Sequence, residues 1–259
     1  MSSQYLFGDT GLATQRLQVL AEVFVDSSRA FLRDTVTAKL RLALDLGCGP
    51  GYSTHLLADV LQCDRVAGLD NSEHFISLAQ KTRTSRVSFH LHDVTAVPFP
   101  VGLSDLLYCR LLLTHLTDPQ AVVGKWATQL EPNGRLLIEE VERIHTRNGL
   151  FSTYLKILEA VMTHQSNRLY IGPALDGLKD PPLLKRRVSQ IRRFPVSTDK
   201  AATMFFLNLQ TWKDQPFIRA HYSASMMTQL ETDLRTLTKT ESREREIEWE
   251  LRQIAFERV

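Results

Sequence analysis

A short apolar run that enters a glycine-rich turn constrains the fold of this chain more than any other feature. The run covers residues 42–46, and glycines follow at positions 47, 49 and 51. A continuous apolar run of this length is typical of a buried parallel strand. Glycines let the backbone turn sharply and approach a ligand where a Cβ atom would collide. The segment therefore predicts a strand, a ligand-binding turn and a helix in succession, as in nucleotide-binding α/β folds.

An acid at the end of the next apolar run points to a nucleotide ligand. Asp70 ends residues 65–70, about 20 residues after the turn, where an acid of a βαβ unit binds ribose hydroxyls. Tyr52 occupies the third position of the dinucleotide pattern G-x-G-x-x-G, and no P-loop pattern occurs. A nicotinamide enzyme would also use an acid here, so the glycine spacing alone argues against that alternative. Asp45, just before the glycines, favours a ligand that is cationic near the turn.

Residues 45–51, Asp-Leu-Gly-Cys-Gly-Pro-Gly, resemble the first motif of the class I S-adenosylmethionine-dependent methyltransferases. Four later motifs of that family also have similar segments in this chain, in the same order: residues 70–72, 92–94, 105–110 with 113–116, and 130–140. In the last of these Asn133 replaces a glycine of the usual L-K-P-G-G sequence, a mild change because asparagine tolerates a positive φ. The resemblance covers residues 40–142, and five motifs in order make it specific.

The resemblance implies an α/β fold with a doubly wound, mostly parallel, seven-stranded, Rossmann-like sheet and helical insertions. It also implies S-adenosyl-L-methionine as the cofactor and S-adenosyl-L-homocysteine as the product. In the family, the acid at the position of Asp70 holds the ribose and the acid at the position of Asp93 contacts the adenine amine. The residues carried over as cofactor-binding are Asp45, Gly47, Cys48, Gly49, Asp70, Asn71, Asp93, Val94 and Arg110.

Length and pattern predict one methyltransferase domain over residues 1–259, without an evident linker or repeat. The expected parts are an N-terminal helical lid over 1–38, a cofactor-binding core over 40–142, and helical cap segments over 143–185 and 197–247 that complete the acceptor pocket. The lid pattern breaks near residues 26–28, which predicts two helices. A charged helix over 241–250 and a closing strand over 253–258 are expected last, and in the family that strand lies beside the sixth.

The predicted cap carries aromatic side chains that suit an apolar or planar acceptor. Candidate cap segments are Tyr5, Phe7, residues 145–180 and residues 200–230, and the aromatic candidates are Phe205, Phe206, Trp212, Phe217 and Tyr222. Each of these side chains, taken singly, also suits the core of a helix pair. The hypothesis therefore concerns the group and leaves the single positions open.

Methyl transfer from a sulfonium needs an aligned nucleophile, and a general base only where the acceptor must lose a proton. Three residues near the carboxyl ends of predicted strands are candidates for that base: His115, Glu140 and His145. His115 also suits a packing role or a cofactor contact, and Glu140 and His145 also suit loop anchors. Alignment of the acceptor without any base is the other alternative.

Composition and missing motifs narrow the partners. The formal net charge of +2 gives no whole-chain attraction to nucleic acid or to an anionic membrane. Three cysteines without a C-x-x-C pair indicate reduced thiols and no zinc site. The fourth strand lacks the acid with which catechol-type methyltransferases bind Mg²⁺, so the site is predicted to be metal-free. The polar N-terminus predicts a soluble, cytoplasmic protein.

Nucleic acid is disfavoured as the acceptor. The fourth strand lacks the Asn/Asp-Pro-Pro-aromatic tetrapeptide of DNA amino-methyltransferases, and the chain has no Pro-Cys pair. The basic cluster Lys185, Arg186, Arg187, Arg192 and Arg193 leaves RNA binding as a weaker alternative. The sequence thus predicts metal-independent O- or C-methylation of a small, apolar or aromatic metabolite in secondary metabolism. The alternatives are a cyclase or rearrangement enzyme on the same fold, a methyltransferase of RNA or protein, and a binding protein with a degenerate cofactor site.

Overall fold

Seven strands form one sheet in the computed structural model, which describes residues 11–239 and 246–259. The strands are β1 (Leu40–Leu46), β2 (Cys63–Asp70), β3 (Val87–Leu91), β4 (Ser104–Arg110), β5 (Leu130–Thr146), β6 (Leu184–Val196) and β7 (Ile247–Arg258). Their order is β3-β2-β1-β4-β5-β7-β6, and the neighbouring pairs among β1 to β5 are parallel. The predicted doubly wound, mostly parallel, seven-stranded sheet is confirmed, as is the position of the last strand beside the sixth.

Helices lie between β1 and β2, β2 and β3, and β4 and β5, because parallel neighbours cannot be joined by tight turns, whereas in the described chain a segment without a helix joins β3 to β4. Those before β5 are α1 (Gly11–Thr35), α2 (Tyr52–Val60), α3 (Glu73–Gln80) and α4 (Pro119–Ala127). Those after β5 are α5 (Gly149–His164), α6 (Gly172–Asp176), α7 (Thr198–Trp212), α8 (Pro216–His221) and α9 (Ala224–Leu237). A 3-10 turn at Leu113–His115 follows β4.

The strand order reverses at β1, which has β2 on one side and β4 on the other. The parallel register places Leu46 opposite Leu69 of β2 and opposite Cys109 of β4. The carboxyl ends of these strands therefore meet at one edge of the sheet. In α/β folds of this kind, ligands bind outside that edge at the point of reversal.

Both faces of β1 are buried in hydrophobic clusters. Leu42 and Leu44 pack in one cluster with Trp126 of α4. Ala43, which points to the other face, packs in a second cluster with Leu57 of α2. Burial of both faces explains why β1 is a continuous apolar run in the sequence, without the alternation of a half-exposed strand.

The described chain divides into two compact units. The sheet unit consists of residues 24–142, 170–192 and 251–259, and the helical unit consists of residues 11–23, 143–169, 193–239 and 246–250. The glycine turn and β1 to β4 lie in the sheet unit, and α5, α7, α8 and α9 lie in the helical unit. The single domain over residues 1–259, with its lid, core and cap segments, stays a prediction.

The N-terminal segment is one helix, so the predicted break near residues 26–28 is wrong. Ser27 and Ser28 are buried, and each finds a hydrogen-bond donor in the fold. Gln253 Nε2 donates to Ser27 Oγ at 3.2 Å, and Arg110 Nη1 donates to Ser28 Oγ at 3.1 Å. Because these hydroxyls are bound by distant side chains, they do not compete for the local backbone in the way that ends helices.

The predicted charged helix over residues 241–250 is also wrong where the structure describes it, because β7 begins at Ile247. Ile247 and Trp249 are buried, as alternate residues of a strand are, and Glu250 is buried beside its partner Arg193. Residues 240–245 lie outside the described part of the chain. At Glu250, the charge that suggested a solvated helix face belongs to a buried carboxylate paired with the exposed Arg193.

Candidate cofactor and active site

The glycine turn after β1 has a left-handed backbone at each of its glycines. Gly47, Gly49 and Gly51 have φ values of 70°, 52° and 95°, which residues with a Cβ rarely adopt. A Cβ on Gly51 would lie 2.7 Å from the ring of Phe89, and one on Gly47 would lie 2.9 Å from Leu112. Packing and backbone geometry both require glycine at these two positions.

Asp45 fastens the start of α2 to β1. Its Oδ2 accepts hydrogen bonds of 2.7 Å from the hydroxyls of Ser53 and Thr54. The side chain is almost inaccessible, and burial raises the pKa of this carboxyl to about 6 although the two hydroxyls lower it. Its contact with a cofactor stays a prediction, and its structural role as an anchor of α2 is a finding.

Asp70 joins the glycine turn to the next helix. Its Oδ2 accepts a 2.8 Å hydrogen bond from the N–H of Gly49, and its Oδ1 accepts a 2.9 Å bond from the N–H of Ser72, the N-cap of α3. The residue is only half-buried, and Asn71 beside it is exposed. The carboxylate therefore fixes the turn while part of its surface stays accessible at the carboxyl edge of the sheet.

Asp93 and Val94 follow β3 and differ in exposure. Asp93 is exposed, and its Oδ1 accepts 2.8 Å hydrogen bonds from the backbone N–H and the hydroxyl of Thr95. Val94 is buried, and its carbonyl accepts a 2.8 Å hydrogen bond from the indole of Trp126. The structure thus presents the Asp93 carboxylate on a loop held by α4. Its contact with an adenine amine stays a prediction.

Arg110, at the end of β4, is held by a polar network that the sequence did not predict. Its Nη1 donates to Ser28 Oγ. On the same strand the Tyr108 hydroxyl donates to Glu139 Oε2 at 2.5 Å, and Gln253 Nε2 donates to Glu139 Oε1 at 2.7 Å. Glu139 and Gln253 are fully buried. They are 114 residues apart, so neither motif spacing nor periodicity signals their contact.

Glu140 binds the loop that follows β4. Its Oε1 accepts hydrogen bonds from the backbone N–H groups of Leu112 and Leu113, at 2.8 and 2.6 Å. Burial raises the pKa of this carboxyl to about 8, although the backbone N–H groups lower it. His115 ends the 3-10 turn of the same loop, and its side chain is half-buried. Two of the three predicted catalytic residues therefore lie on, or hold, one loop of the sheet unit.

His145, the third catalytic candidate, belongs to the helical unit. Its side chain is about half exposed, and its Nε2 lies 3.3 Å from Glu250 Oε2. The other oxygen of Glu250 pairs with Arg193 at 2.5 Å. His145 is thus part of an ion-pair cluster, and its role as a base stays a prediction.

The aromatic candidates of the helical unit fall into two groups. Phe205 and Trp212 are fully buried, and Tyr154 stacks on Phe205 with ring centroids 4.2 Å apart. These side chains form the core of the unit, which is the alternative that the sequence left open. The other three, Phe206, Phe217 and Tyr222, are half-buried. Tyr5 and Phe7 lie outside the described residues.

Most cations of the basic cluster are paired with acids of the chain. Arg186 lies near Asp176 and Asp180, Arg187 pairs with Glu257, and Arg193 pairs with Glu250. Pairing neutralises these charges, which reduces the attraction that the cluster offers to phosphates.

Three further observations concern metals, thiols and membranes. Among the described residues, no three His, Cys, Asp or Glu side chains lie together as metal ligands. Cys48, Cys63 and Cys109 are buried free thiols, and burial raises the pKa of Cys48 and Cys109 well above the ordinary value. No helix in residues 11–239 or 246–259 is long and apolar enough to cross a membrane.

Comparisons with known proteins match the middle of the chain. A family model described as "Methyltransferase domain" matches residues 44–138. Trans-aconitate 2-methyltransferase of Variovorax paradoxus is 34% identical over 96 residues, which are 37% of this chain and 37% of that protein. Ubiquinone biosynthesis O-methyltransferase of Coxiella burnetii is 27% identical over 116 residues, which are 44% of this chain and 49% of that protein. The matched part spans less than half the length of these relatives.

A solved structure extends the similarity of fold beyond the matched segment. Coclaurine N-methyltransferase, bound to N-methylheliamine and S-adenosylhomocysteine, aligns with a TM-score of 0.54 at 15% identity, over 92% of this chain and 72% of that one.

The matched segment of this chain contains the first three cofactor motifs described above. It includes the glycine turn, the half-buried Asp70 carboxylate and the exposed Asp93 at the strand ends. Close backbone approach at the glycines and accessible carboxylates suit a nucleoside that carries a charged amino acid. Residues 44–138 therefore match the methyltransferase-domain family, and their glycine turn and strand-end acids agree with its class I, S-adenosylmethionine-dependent type.

Proposed function

We propose that this protein transfers a methyl group from S-adenosylmethionine to a small-molecule acceptor. The observation that carries the proposal is the bond from Gly49 N–H to Asp70 Oδ2, because it ties the two predicted cofactor motifs into one rigid edge. A protein that had lost cofactor binding would have no need to keep this carboxylate half-exposed, with three left-handed glycines beside it. The degenerate binding protein is accordingly the less favoured alternative.

Residues of the sheet unit would hold the cofactor. Asp70 and Asn71 would take the ribose, Asp93 and Val94 the adenine, and the turn with Asp45 and Arg110 the amino-acid end. The backbone of Gly47, Cys48 and Gly49 would supply further contacts. When bound, S-adenosylmethionine supplies a methyl carbon made electrophilic by the adjacent sulfonium. The chain itself needs to orient the acceptor, exclude water and, for some acceptors, remove a proton.

Among the three candidates for a base, His115 is the one we favour. It lies in the 3-10 turn immediately after β4, on the side of the sheet where the strand order reverses. Its ring is half-buried, and an imidazole is the side chain that most often serves as a general base. Glu140 has no solvent-exposed surface, and His145 belongs to the helical unit, where its Nε2 lies 3.3 Å from Glu250.

For the acceptor, we propose an apolar or aromatic metabolite that is methylated on oxygen or carbon without a metal. Support comes from Phe206, Phe217 and Tyr222, aromatic side chains of the helical unit that keep part of their surface accessible. The names of both curated relatives describe methyltransferases that act on small molecules. Phe205 and Trp212, which form the core of the unit, give no support.

The test is calorimetric titration of the purified protein with S-adenosylmethionine and S-adenosylhomocysteine. We expect micromolar affinity for both, about −8 kcal/mol, and a loss of about tenfold or more in Asp70→Ala. The matched control is Asp105→Ala. Asp105 Oδ2 also accepts hydrogen bonds from two backbone N–H groups, those of Arg41 and Leu42, but at the amino end of β4.

The control should lose stability and keep its cofactor affinity. Equal affinity in wild type and Asp70→Ala would refute the ribose assignment, and no binding by folded wild type would refute the proposed function. Binding without methyl transfer to any of a panel of phenols, carboxylic acids and activated carbon acids would favour the cyclase or rearrangement alternative.

A further inference from the structure

We propose that Glu140 is a positioning residue, which fixes the glycine turn through the loop that follows β4. It does not itself remove a proton from the molecule that is methylated. That the turn binds a cofactor rests on the proposed function. The contacts that position the turn are observed in the structure and are independent of that function. The proposal assigns a role to a buried acid for which the sequence suggested catalysis.

Glu140 is hydrogen-bonded to the loop that follows β4. One carboxyl oxygen, Oε1, accepts hydrogen bonds from two successive backbone N–H groups, those of Leu112 and Leu113. These two amides follow Leu111, the first residue after the end of β4, where the ladder of the sheet stops. A buried N–H without an acceptor costs about 1–3 kcal/mol, so a single side chain satisfies two expensive donors.

The loop needs such an anchor because its backbone is strained. Leu111, which precedes the two bonded residues, has a φ of 55°, and a left-handed backbone costs a residue with a Cβ about 1–2 kcal/mol. Such a conformation persists only where the surroundings over-determine it. The N–H of Leu111 is bound by the carbonyl of Glu139, the residue before Glu140. The loop is therefore held at three successive amides by two adjacent residues of β5.

The same loop contacts the glycine turn. The side chain of Leu112 packs directly on Gly47, where an added Cβ would lie 2.9 Å from Leu112 Cδ1 and 3.0 Å from Cδ2. Gly47 is the first of the three left-handed glycines, and its N–H is bound by the carbonyl of Leu69. If the Leu112 side chain shifted, it would enter the space that the backbone of Gly47 occupies. Glu140 acts on the turn through one backbone amide and one side chain.

The other oxygen of Glu140 argues against a role as base. Oε2 is buried and accepts no hydrogen bond from the residues that the structure describes. A base must come within hydrogen-bond reach of the proton that it removes, and both oxygens of this carboxyl are out of contact with solvent. Positioning needs only an acceptor oxygen, which the protonated acid also supplies. The raised pKa of Glu140, due to burial, agrees with this neutral form near pH 7.

The experiment compares Glu140→Gln, which keeps an acceptor oxygen, with Glu140→Leu, which removes it. The readouts are the affinity for S-adenosylhomocysteine by calorimetry and the hydrogen-exchange rates of the Leu112 and Leu113 amides without cofactor. We expect Glu140→Leu to lose about tenfold or more in affinity and Glu140→Gln to stay within about threefold of wild type. The two amides should exchange at least about tenfold faster in Glu140→Leu and near the wild-type rate in Glu140→Gln.

A second variant separates positioning from general loss of stability. Leu130 is fully buried at the amino end of β5, so Leu130→Ala weakens the same strand far from the loop. This variant should lower the melting temperature and leave the affinity for S-adenosylhomocysteine unchanged. The exchange rates of the Leu112 and Leu113 amides, compared with those of the β5 amides, should also stay unchanged. Wild-type affinity and wild-type exchange in Glu140→Leu would overturn the proposal, as would failure of Glu140→Gln to restore them. If wild type binds no S-adenosylhomocysteine, the proposed function fails, and the exchange rates alone decide the positioning role.

Discussion

The sheet unit and the helical unit are fixed by different kinds of contact. In the sheet unit, carboxylates bind backbone N–H groups at loop positions: Asp70 binds Gly49, and Glu140 binds Leu112 and Leu113. In the helical unit, stacked aromatic rings such as Tyr154 and Phe205 fill the core. Directional bonds hold a loop in one geometry, whereas stacked rings stabilise by burial and tolerate adjustment. The difference teaches that the part of the chain with cofactor motifs is built for precise backbone placement.

The largest expected effect tests the aromatic side of this contrast. Phe205→Ala should lower the free energy of unfolding by about 4 kcal/mol, because it leaves a cavity beside Tyr154 and Phe151. The matched control is Phe206→Ala, whose half-buried ring lies under the guanidinium of Arg235 and should cost about 1 kcal/mol. Urea unfolding measures both. Similar losses in the two variants would show that the helical unit has no aromatic core.

The next prediction tests the backbone geometry of the glycine turn. Gly51→Ala should cost about 3 kcal/mol, because a Cβ would meet the Phe89 ring at 2.7 Å and the φ of 95° is strained. It should also abolish measurable binding of S-adenosylhomocysteine. Gly124→Ala is the control, since a Cβ there meets nothing within 4 Å inside α4 and should stabilise by up to about 1 kcal/mol. If Gly51→Ala kept wild-type stability and binding, the backbone geometry described for the glycine turn would be wrong.

A pH series sharpens the contrast from the carboxylate side. The pKa of Glu140 is raised from 4.5 to about 8 in the folded state, so the folded protein holds a proton that the unfolded chain releases. Its contribution to stability is full below pH 4.5 and is lost as the pH rises toward 8, by about 2 kcal/mol between pH 5.5 and 7. Asp45, whose pKa is raised to about 6, adds a change of the same sign at lower pH.

Glu140→Gln should remove the part of this slope due to Glu140, between about pH 4.5 and 8, and keep the part due to Asp45, below about pH 6. Guanidinium unfolding at a series of pH values, for wild type and variant, measures the difference. Parallel pH curves for the two proteins would mean that Glu140 is not held neutral in the fold.

The smallest expected effect concerns the polar network at Arg110. Ser28→Ala should cost about 1 kcal/mol, since it removes one hydrogen bond and leaves Arg110 Nη1 without its Ser28 acceptor. Its helix should stay continuous, because alanine favours helix more than serine does. Thermal unfolding and far-UV circular dichroism measure the two outcomes. A loss of helix content would show that Ser28 stabilises the helix itself and not the contact with β4.

The sequence predicted the sheet and the acids at its edge because these depend on local pattern and short spacing. Asp70 could be found from the apolar run before it and from its distance to the glycines, although its bonds to Gly49 and Ser72 could not. The Glu139–Gln253 contact was invisible because it joins positions 114 residues apart. Ser27 was taken as the end of a helix for the same reason, since its partner is Gln253. Local propensity fails where a distant side chain satisfies a polar group.

The burial of Cys48 gives the glycine turn a built-in reporter. Alkylating reagents react with the thiolate, and in the folded state this thiol is both inaccessible and hard to ionise. Alkylation of Cys48 therefore requires the turn to open, and its rate depends on how often the turn opens. A ligand that covers the turn would slow alkylation of Cys48, so this rate would report binding without a methyl acceptor and without turnover.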